Sequence, residues 1–198
     1  MGWIRQWLSR GGVVIDSGAN VGQMVLSLAP LPGVSIHAFE PLDNACDWLL
    51  ECLTRYPDWS VSVKRFGLSA TDGCISLQVD GARSTARTDW YQGKDLPVTQ
   101  ISVMPLDDYL RDENVERVRL WKLDVEGCEL EALKGARHSL RQQRIDALLI
   151  EVSAVAPVAE FLKACGYRLH LIGPGGLLTQ VVDTMTPTGN MVALPVKE

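Results

Sequence analysis

Short apolar runs alternate with amphipathic stretches along most of the chain, and the apolar runs are rich in β-branched residues. Apolar runs bounded by turn residues predict buried strands, whereas apolar positions spaced three and four apart predict helices. The pattern predicts main strands at residues 12–16, 34–40, 59–66, 118–124, 145–152, 167–172 and 190–196. It predicts helices at residues 21–28, from about 43 to 53, and at 106–110, 129–140 and 155–165.

Strands that alternate with crossover helices form a mostly parallel sheet with helices on both faces. The alternation is interrupted where two further predicted strands, residues 74–79 and 98–104, flank a polar loop at residues 80–97. We expect these two strands to form a hairpin-like insertion at one margin of the sheet. No composition break or internal repeat divides the chain, so we predict a single α/β domain over residues 1–198.

The composition is that of an ordinary globular protein. Of the 198 residues, 46% are hydrophobic and 22% are charged, and 19 basic against 24 acidic side chains give a net charge of -5. These values exclude a disordered chain, and the negative charge argues against a nucleic-acid partner. No run of about 18 apolar residues predicts a membrane span, and the N-terminal residues lack the pattern of a secretory signal. Five cysteines without C-x-x-C spacing predict reduced thiols and a cytoplasmic protein.

The segment after the first predicted strand carries the first candidate site, because ligands of open parallel sheets bind beyond the carboxyl ends of the strands. Residues 16–22 have the sequence DSGANVG. Gly18 allows a tight turn, Gly22 allows the next helix to pack close to the strand, and the amides at the helix start suit an anionic group. The glycines do not match the G-x-G-x-x-G dinucleotide fingerprint, which disfavours a nicotinamide-dependent oxidoreductase.

Asp16 and Glu40 end two successive predicted strands. A carboxylate at the first strand end repels a pyrophosphate but attracts an ammonium group, directly or through water, and Glu40 is suited to accept hydrogen bonds from both hydroxyls of a ribose. S-adenosylmethionine (SAM) carries both an ammonium group and a ribose with two hydroxyls. The alternative is that both acids are only polar strand ends, and Asn20 fits equally well as a plain turn residue.

Four later segments extend this pattern in order along the chain. They are residues 39–41 (FEP), 68–73 (LSATDG), 121–136 (WKLDVEGCELEALKGA) and 150–152 (IEV). Together with residues 14–22, they resemble the FkbM family of SAM-dependent methyltransferases. The KLDVEG sequence at residues 122–127 is the motif most specific to this family.

The resemblance implies a class I methyltransferase (Rossmann-like) fold, with a mostly parallel seven-stranded sheet, its last strand antiparallel, and helices on both faces. The implied cofactor-binding residues are Asp16, Gly18 and Asn20 at the methionyl end of SAM, Gly22 in the same turn, Glu40 at the ribose, and Leu68 and Ser69 near the adenine. Family members typically methylate hydroxyl oxygens of sugars or secondary metabolites, so a small-molecule or glycan acceptor is expected. Only about a dozen residues precede the first strand, which leaves open whether a helical cover over the cofactor is missing or comes from another chain.

The candidate catalytic groups are acidic residues near the ends of the fourth main strand, residues 118–124, and of the neighbouring strand, residues 145–152. Methyl transfer is an in-line displacement, in which a protein aligns the reactants and takes up a proton. We expect Asp124 to be the base or to position the acceptor, with Glu126 and Glu151 orienting it or binding polar groups of the acceptor. A divalent metal held by these three acids is a less favoured alternative, since oxygen ligands suit magnesium. Lys122 is expected to be an ion-pair partner within this cluster.

Two alternatives to O-methylation stay open at this stage. One is N- or C-methylation of a small molecule or peptide, and the other is a SAM-binding partner protein without catalysis. Trp90 and Tyr91, in the polar loop, are weaker candidates for contact with the acceptor. The sequence does not specify the acceptor, the methylated atom or the oligomeric state.

Overall fold

The computed structural model describes residues 2–80, 84–86, 95–152, 155–173, 176–180 and 189–196. In chain order its elements are α1 (Gly2–Trp7), β1 (Gly12–Ser17), α2 (Gln23–Leu28), β2 (Val34–Phe39), α3 (Asp43–Leu53), β3 (Ser60–Lys64), β4 (Gly67–Leu68), β5 (Gly73–Gln78), β6 (Val98–Met104), α4 (Leu106–Asp112), β7 (Leu120–Leu123), α5 (Glu129–Lys134), α6 (Arg137–Arg141), β8 (Leu148–Val152), α7 (Val155–Ala164), β9 (Tyr167–Ile172), β10 (Leu178–Gln180) and β11 (Gly189–Pro195). The predicted candidates Trp90 and Tyr91 lie outside the described residues.

The main sheet has the strand order β10-β9-β11-β8-β7-β1-β2-β3. Its central strands, from β8 through β7, β1 and β2 to β3, are parallel, and β11 runs antiparallel between β8 and β9. The predicted mostly parallel α/β sheet is therefore confirmed. The sheet has eight strands in the described part of the chain rather than seven, because the short strand β10 pairs with the edge of β9.

Both faces of the central strands are buried. Adjacent residues of β1 enter different hydrophobic clusters, since Val14 packs with Ile36 and Leu49 on one face and Ile15 packs with Trp121 on the other. Successive strand side chains point to opposite faces, so a strand covered on both sides is apolar throughout. This explains why residues 13–15 form a continuous apolar run instead of an alternating one.

The predicted insertion lies between β3 and β7 in the chain, and β3 is the edge strand of the main sheet. Strands β5 and β6 do pair antiparallel, but they form a separate three-stranded sheet with β4, in the order β4-β6-β5. We call this the second sheet. The insertion thus follows the edge strand of the main sheet, but its strands do not join that sheet, since the two-residue β4 pairs with the end of β6.

The helix predicted at residues 129–140 is divided into α5 and α6. The break lies at Gly135, where a Cβ atom would stand 2.0 Å from the carbonyl oxygen of Ser69. The second helix receives its own cap, since the Asp107 carboxylate accepts hydrogen bonds from the backbone N–H groups of His138 (2.8 Å) and Ser139 (2.9 Å). The helix is therefore interrupted where the segment that contains Ser69 comes closest, although the sequence on both sides has helical periodicity.

Within the described part of the chain, no helix has the length and apolar character needed to cross a membrane. The same residues contain no disulfide bond.

Candidate functional site

Three parallel strands end together at one edge of the main sheet. In the register of the sheet, Asp16 of β1 lies opposite Ala38 of β2 on one side and opposite Lys122 of β7 on the other. Glu40 and Asp124 are the residues that directly follow β2 and β7. The parallel register thus brings the three predicted acids to one edge, as expected for side chains at the carboxyl ends of parallel strands.

A cavity of about 650 Å³ opens at this edge. Its walls come from the turn after β1, the segments after β2 and β7, and the second sheet. Of the predicted site residues, those that line it are Gly18, Asn20, Glu40, Leu68, Asp124 and Glu126. This volume is in the usual range for a small-molecule or cofactor site.

The turn after β1 packs directly on the segment after β7. Gly18 has a φ angle of 75°, and a Cβ atom there would lie 1.9 Å from the carbonyl oxygen of Asp124. Its backbone N–H donates a hydrogen bond to the carbonyl of Phe39 at 3.0 Å, which ties the turn to β2 as well. Only glycine combines this positive φ angle with so close an approach of two backbones.

Glu40 is held by the backbone on both of its carboxylate oxygens. Oε2 accepts a hydrogen bond from the N–H of Asn20 and Oε1 accepts one from the N–H of Leu42, both at 2.9 Å. Burial raises the pKa of the Glu40 carboxyl, and these two hydrogen bonds oppose the rise. Asn20 itself has a φ angle of 48°, so its turn conformation directs the N–H toward the acid.

Asp16 is completely buried and is not one of the residues that line the cavity. Neither of its carboxylate oxygens accepts a hydrogen bond from a described residue, and Lys122 Nζ lies 3.5 Å from Oδ1, too far for a normal hydrogen bond. Burial raises the pKa of Asp16, and the charge of Lys122 opposes this rise. A buried carboxylate is costly unless donors or positive charge compensate it, so this position favours positive charge nearby, as Lys122 provides.

Lys122 lies between two acids. Its Nζ is 3.2 Å from Asp124 Oδ2, in addition to the 3.5 Å contact with Asp16, and 3.4 Å from the carbonyl oxygen of Gly18. Burial alone would lower the pKa of Lys122, but the charges of Asp16 and Asp124 raise it. The predicted ion-pair role of Lys122 is confirmed, and Lys122 is one of the residues that line the cavity.

The turn that carries Glu126 is held from two sides. Glu126 has a φ angle of 48°, which non-glycine residues adopt infrequently. The Thr85 hydroxyl donates a hydrogen bond to the Glu126 carbonyl, and Glu129 Oε1 accepts one from the N–H of Gly127 at 2.8 Å. Burial raises the pKa of Glu129, with the bond from Gly127 opposing the rise. Glu129 therefore supports the turn as well as beginning α5.

Four predicted site residues do not line the cavity, and the first of them is the buried Asp16 described above. Gly22 packs under the turn, where a Cβ atom would meet Leu49 Cδ1 at 2.3 Å. Ser69 donates its backbone N–H to the carbonyl of Met104 at 3.1 Å. Glu151 is exposed on β8, opposite Asn190 of β11. Their roles stay predictions. Among the described residues, no group of three or more His, Cys, Asp or Glu side chains is arranged to hold a metal ion.

The sequence reasoning missed the apolar side chains that the second sheet contributes to the cavity. These are Ile75 and Leu77 of β5 and Ile101 and Val103 of β6. The available signal was the alternation of Ile75 and Leu77 with polar residues, which is typical of a strand with one apolar face. Only the fold shows that this face borders the acids.

The sequence model of the FkbM methyltransferase domain matches residues 16–169. The chain belongs to the FkbM methyltransferase family. This confirms the family suggested by the residues around Asp16, Glu40 and Asp124. Glu40 and Asp124 line one cavity, and Asp16 is buried at the end of the strand between theirs.

Two curated relatives of this FkbM-family chain are themselves named as methyltransferases. It is 28% identical over 142 residues to hexuronic acid methyltransferase AglP of Haloferax volcanii, a match that covers 72% of this chain and 56% of that protein. It is 29% identical over 154 residues to methyltransferase sdnD of Sordaria araneosa, covering 62% and 59% of the two chains. The chain thus spans a little more than half the length of these relatives.

Solved structures with the same fold include methyltransferases of several kinds. An rRNA methylase from Streptococcus thermophilus has a TM-score of 0.51 at 14% identity, with 98% of this chain and 95% of that chain covered. The METTL16 methyltransferase domain has a TM-score of 0.56 at 16% identity, with 99% and 66% covered. SMU.1697c of Streptococcus mutans, solved in complex with SAH, has a TM-score of 0.52 at 13% identity, with 98% and 96% covered. At such identities these likenesses show the class I methyltransferase fold alone.

Proposed function

We propose that this chain is a SAM-dependent methyltransferase that methylates a hydroxyl oxygen of a sugar or another small metabolite. The observation that carries the proposal is that two carboxylates, Glu40 and Asp124, line the cavity with Lys122, whose ammonium also lies 3.5 Å from the buried carboxylate of Asp16. Because these acids outnumber Lys122, the net negative charge suits a ligand that bears an ammonium and a sulfonium group. The sugar-modifying relative of Haloferax volcanii supports the acceptor class.

The residues present fit SAM. Asp16 offers two buried oxygens that lack hydrogen-bond donors among the described residues, and a positive group near Lys122 would lower the cost of this charge. Each Glu40 oxygen already accepts one backbone hydrogen bond and keeps capacity for a ribose hydroxyl. The turn at Gly18 and Asn20 would hold the methionyl end, and Leu68 would lie at the adenine.

The bound cofactor supplies a methyl group activated by a positively charged sulfur. The chain must align an acceptor hydroxyl with that methyl group and remove its proton. Asp124 is suited to this task because it lines the cavity, and Lys122 holds its Oδ2 at 3.2 Å. When the acceptor hydroxyl takes up the methyl group, the Asp124 carboxylate would accept the hydroxyl proton and later release it to water. Glu126, on the next turn, would bind further polar groups of the acceptor.

Affinity for SAM is expected to rise with pH. Burial raises the pKa values of Asp16 and Glu40, so the ligand-free protein keeps protons on these acids above their ordinary range. Without ligand, the protons bound to these two acids contribute to folding stability at low pH, and this contribution is lost as the pH rises through their raised pKa values. A cationic ligand favours the ionised acids, so its binding releases protons and strengthens across the same window. Calorimetric titration with SAM in buffers of different ionisation enthalpy measures both effects.

The variant Glu40→Gln tests this assignment, since it cannot ionise at position 40. It is expected to bind SAM more weakly, by roughly tenfold or more for the loss of hydrogen bonds to a charged group, and to lose part of the pH dependence. Affinity that is constant or that falls with rising pH in the unaltered protein would contradict the proposed role of the buried acids.

The function itself is tested with SAM labelled in the methyl group. The protein is incubated with a panel of hexuronic acids, neutral glycosides and hydroxylated metabolites, and the products are identified by mass spectrometry. Label on an acceptor oxygen is expected, and SAM but not NAD is expected to raise the melting temperature. Label on nitrogen or carbon would favour the alternative acceptors. SAM binding without transfer to any acceptor would favour a non-catalytic partner protein, and loss of activity on chelation would restore the metal alternative.

A further inference from the structure

The second sheet forms an apolar wall of the cavity. Ile75 and Leu77 are two positions apart on β5, so both face the same way, and both line the cavity. Leu77 belongs to a cluster with Ile101 and Val103, against which Leu42, Ile75 and Ala86 also pack. We call Ile75, Leu77 and Ala86 the apolar wall.

The register of the second sheet shows which part of the cavity this wall borders. At one end, Gly67 and Leu68 of β4 pair with Val103 and Met104 of β6, so this end lies at Leu68, the predicted adenine contact. Gly73 of β5 pairs with Val103 at the same end. Continuing along β5 from Gly73 toward Gln78 therefore leads away from Leu68.

The far end of β5 reaches the turn that follows β7. Gln78 pairs with Thr85 through two backbone hydrogen bonds of 2.8 and 3.0 Å. The buried Thr85 hydroxyl donates to the carbonyl of Glu126, so the part of the wall that contains Leu77 and Ala86 is joined to the turn that carries Asp124 and Glu126. The Ser84 hydroxyl, beside this wall, accepts a hydrogen bond from the N–H of Asp80 at 3.1 Å.

The acceptor end of the cavity is therefore bordered by carboxylates on one wall and hydrocarbon on another. A ligand with hydroxyl groups on every side would leave some of them against Leu77 and Ala86, where a buried polar group without a partner is unfavourable. A ligand with one apolar side would instead gain from removing hydrocarbon surface from water. The two walls favour different faces of one molecule.

We propose that the acceptor is amphiphilic, with the hydroxyl that receives the methyl group on one edge and a hydrocarbon or apolar ring face packed against Ile75, Leu77 and Ala86. The acceptor class is thus a sugar bearing an apolar aglycone, or a hydroxylated compound with a mainly hydrocarbon frame, in preference to a free polar sugar. This proposal rests on the proposed function, because it takes Asp124 and Glu126 as the acceptor end of the site.

Matched glycosides test the proposal without a known acceptor. Methyl and n-octyl β-D-glucuronide, and the corresponding glucosides, are titrated into the protein with and without saturating SAH, with the octyl compounds kept below their micelle concentrations. Within each pair the octyl compound is expected to bind about tenfold tighter or more, because its added methylene groups leave water at the apolar wall. Equal affinities within both pairs would overturn the proposal.

Three variants localise the effect. Leu77→Asn replaces hydrocarbon by an amide, and Ala86→Leu fills space beside it while keeping the wall apolar; each is expected to bring the octyl-to-methyl affinity ratio close to one, with SAH affinity unchanged. Ala86→Leu preserves the test if Leu77→Asn does not fold. Val98→Asn is the matched control, since Val98 is on β6 of the same sheet but is exposed, and the ratio should stay at its original value. An octyl preference that survives in both wall variants overturns the proposal.

The outcomes separate this inference from the proposed function. If SAH binds and label is transferred but the octyl preference is absent, the amphiphilic acceptor is wrong and the methyltransferase assignment stands. If neither SAM nor SAH binds, the proposed function fails, while the titrations without SAH still show whether the apolar wall binds the octyl chain.

Discussion

Replacing Asp124 with asparagine is expected to lower the rate of labelled methyl transfer by roughly 10²- to 10⁴-fold, the usual contribution of a general base. The amide keeps the shape of the side chain but loses the charge that attracts the hydroxyl proton. It also loses the ion pair with Lys122 Nζ, which is 3.2 Å from Asp124 Oδ2 in the unaltered protein. Because Glu40 and the Gly18 turn are unaltered, affinity for SAH is expected to change by less than about threefold. Single-turnover transfer and calorimetric titration measure the two quantities.

The matched control for Asp124→Asn is Glu131→Gln. Glu131 is an exposed acid on α5 whose carboxylate pairs with Lys134, so its replacement also removes one negative charge from the same region. The rate of transfer should be unchanged in this control. If Asp124→Asn keeps normal turnover, Asp124 is not the base. If its turnover and SAH affinity fall by the same factor, Asp124 acts in cofactor binding instead.

Replacing Gly18 with alanine is expected to lower the free energy of unfolding by roughly 3 kcal/mol or more, within the range of severe substitutions. A Cβ atom at this position would lie 1.9 Å from the carbonyl oxygen of Asp124 and 3.0 Å from its carbonyl carbon. Hydrogen bonds oppose movement of either backbone segment, since Gly18 N–H donates to the carbonyl of Phe39 and Asp124 N–H donates to the carbonyl of Ser17. The melting temperature should fall by about 2–4 °C for each kcal/mol lost, and SAM binding should weaken with it.

The variant Gly33→Ala separates the cost of the positive φ angle from the cost of the close contact made by the added Cβ atom. Gly33 has a φ angle of 70°, close to that of Gly18, but its added Cβ would have only an ordinary contact of 3.6 Å with Gly11 Cα. This variant should therefore lose only the roughly 1–2 kcal/mol that a left-handed backbone costs a non-glycine residue. Equal destabilisation by the two substitutions would show that the turn does not need its close packing against the Asp124 segment.

The main strands were predictable because their signal is local. Residues 12–16 and 34–40 are rich in apolar residues, each ends in an acid and is followed by turn residues, and β1 and β2 lie at these positions with small differences in their bounds. The family was also predictable from ordered motifs, and the domain match over residues 16–169 confirms it. The requirement for glycine at the break between α5 and α6 was not predictable, because the backbone oxygen of Ser69 that excludes a side chain at Gly135 is distant in sequence.

The candidate site was only partly accessible from the sequence. Asp16, Glu40 and Asp124 were expected at one edge, and the strand register brings them there. The position of Lys122 Nζ between Asp16 and Asp124 depends on which strands are neighbours, and no motif contains that information. Glu151 lies near the end of β8 in the same sheet and was expected with the other acids, but its exposed side chain does not line the cavity.

The amino-acid sequence by itself determined the alternation of strands and helices, the family, and the chemical types of the groups at the strand ends. Hydrophobic periodicity, glycine positions and acidic side chains are properties of short segments, so they can be recognised before folding is considered. Only the tertiary structure decided that β4, β5 and β6 form a sheet of their own, and that its apolar side chains face the acids across the cavity. Those features depend on contacts between residues far apart in the chain, such as Thr85 with Glu126. Pairings of this kind arise from the packing of the whole chain and leave little trace in the sequence of either partner.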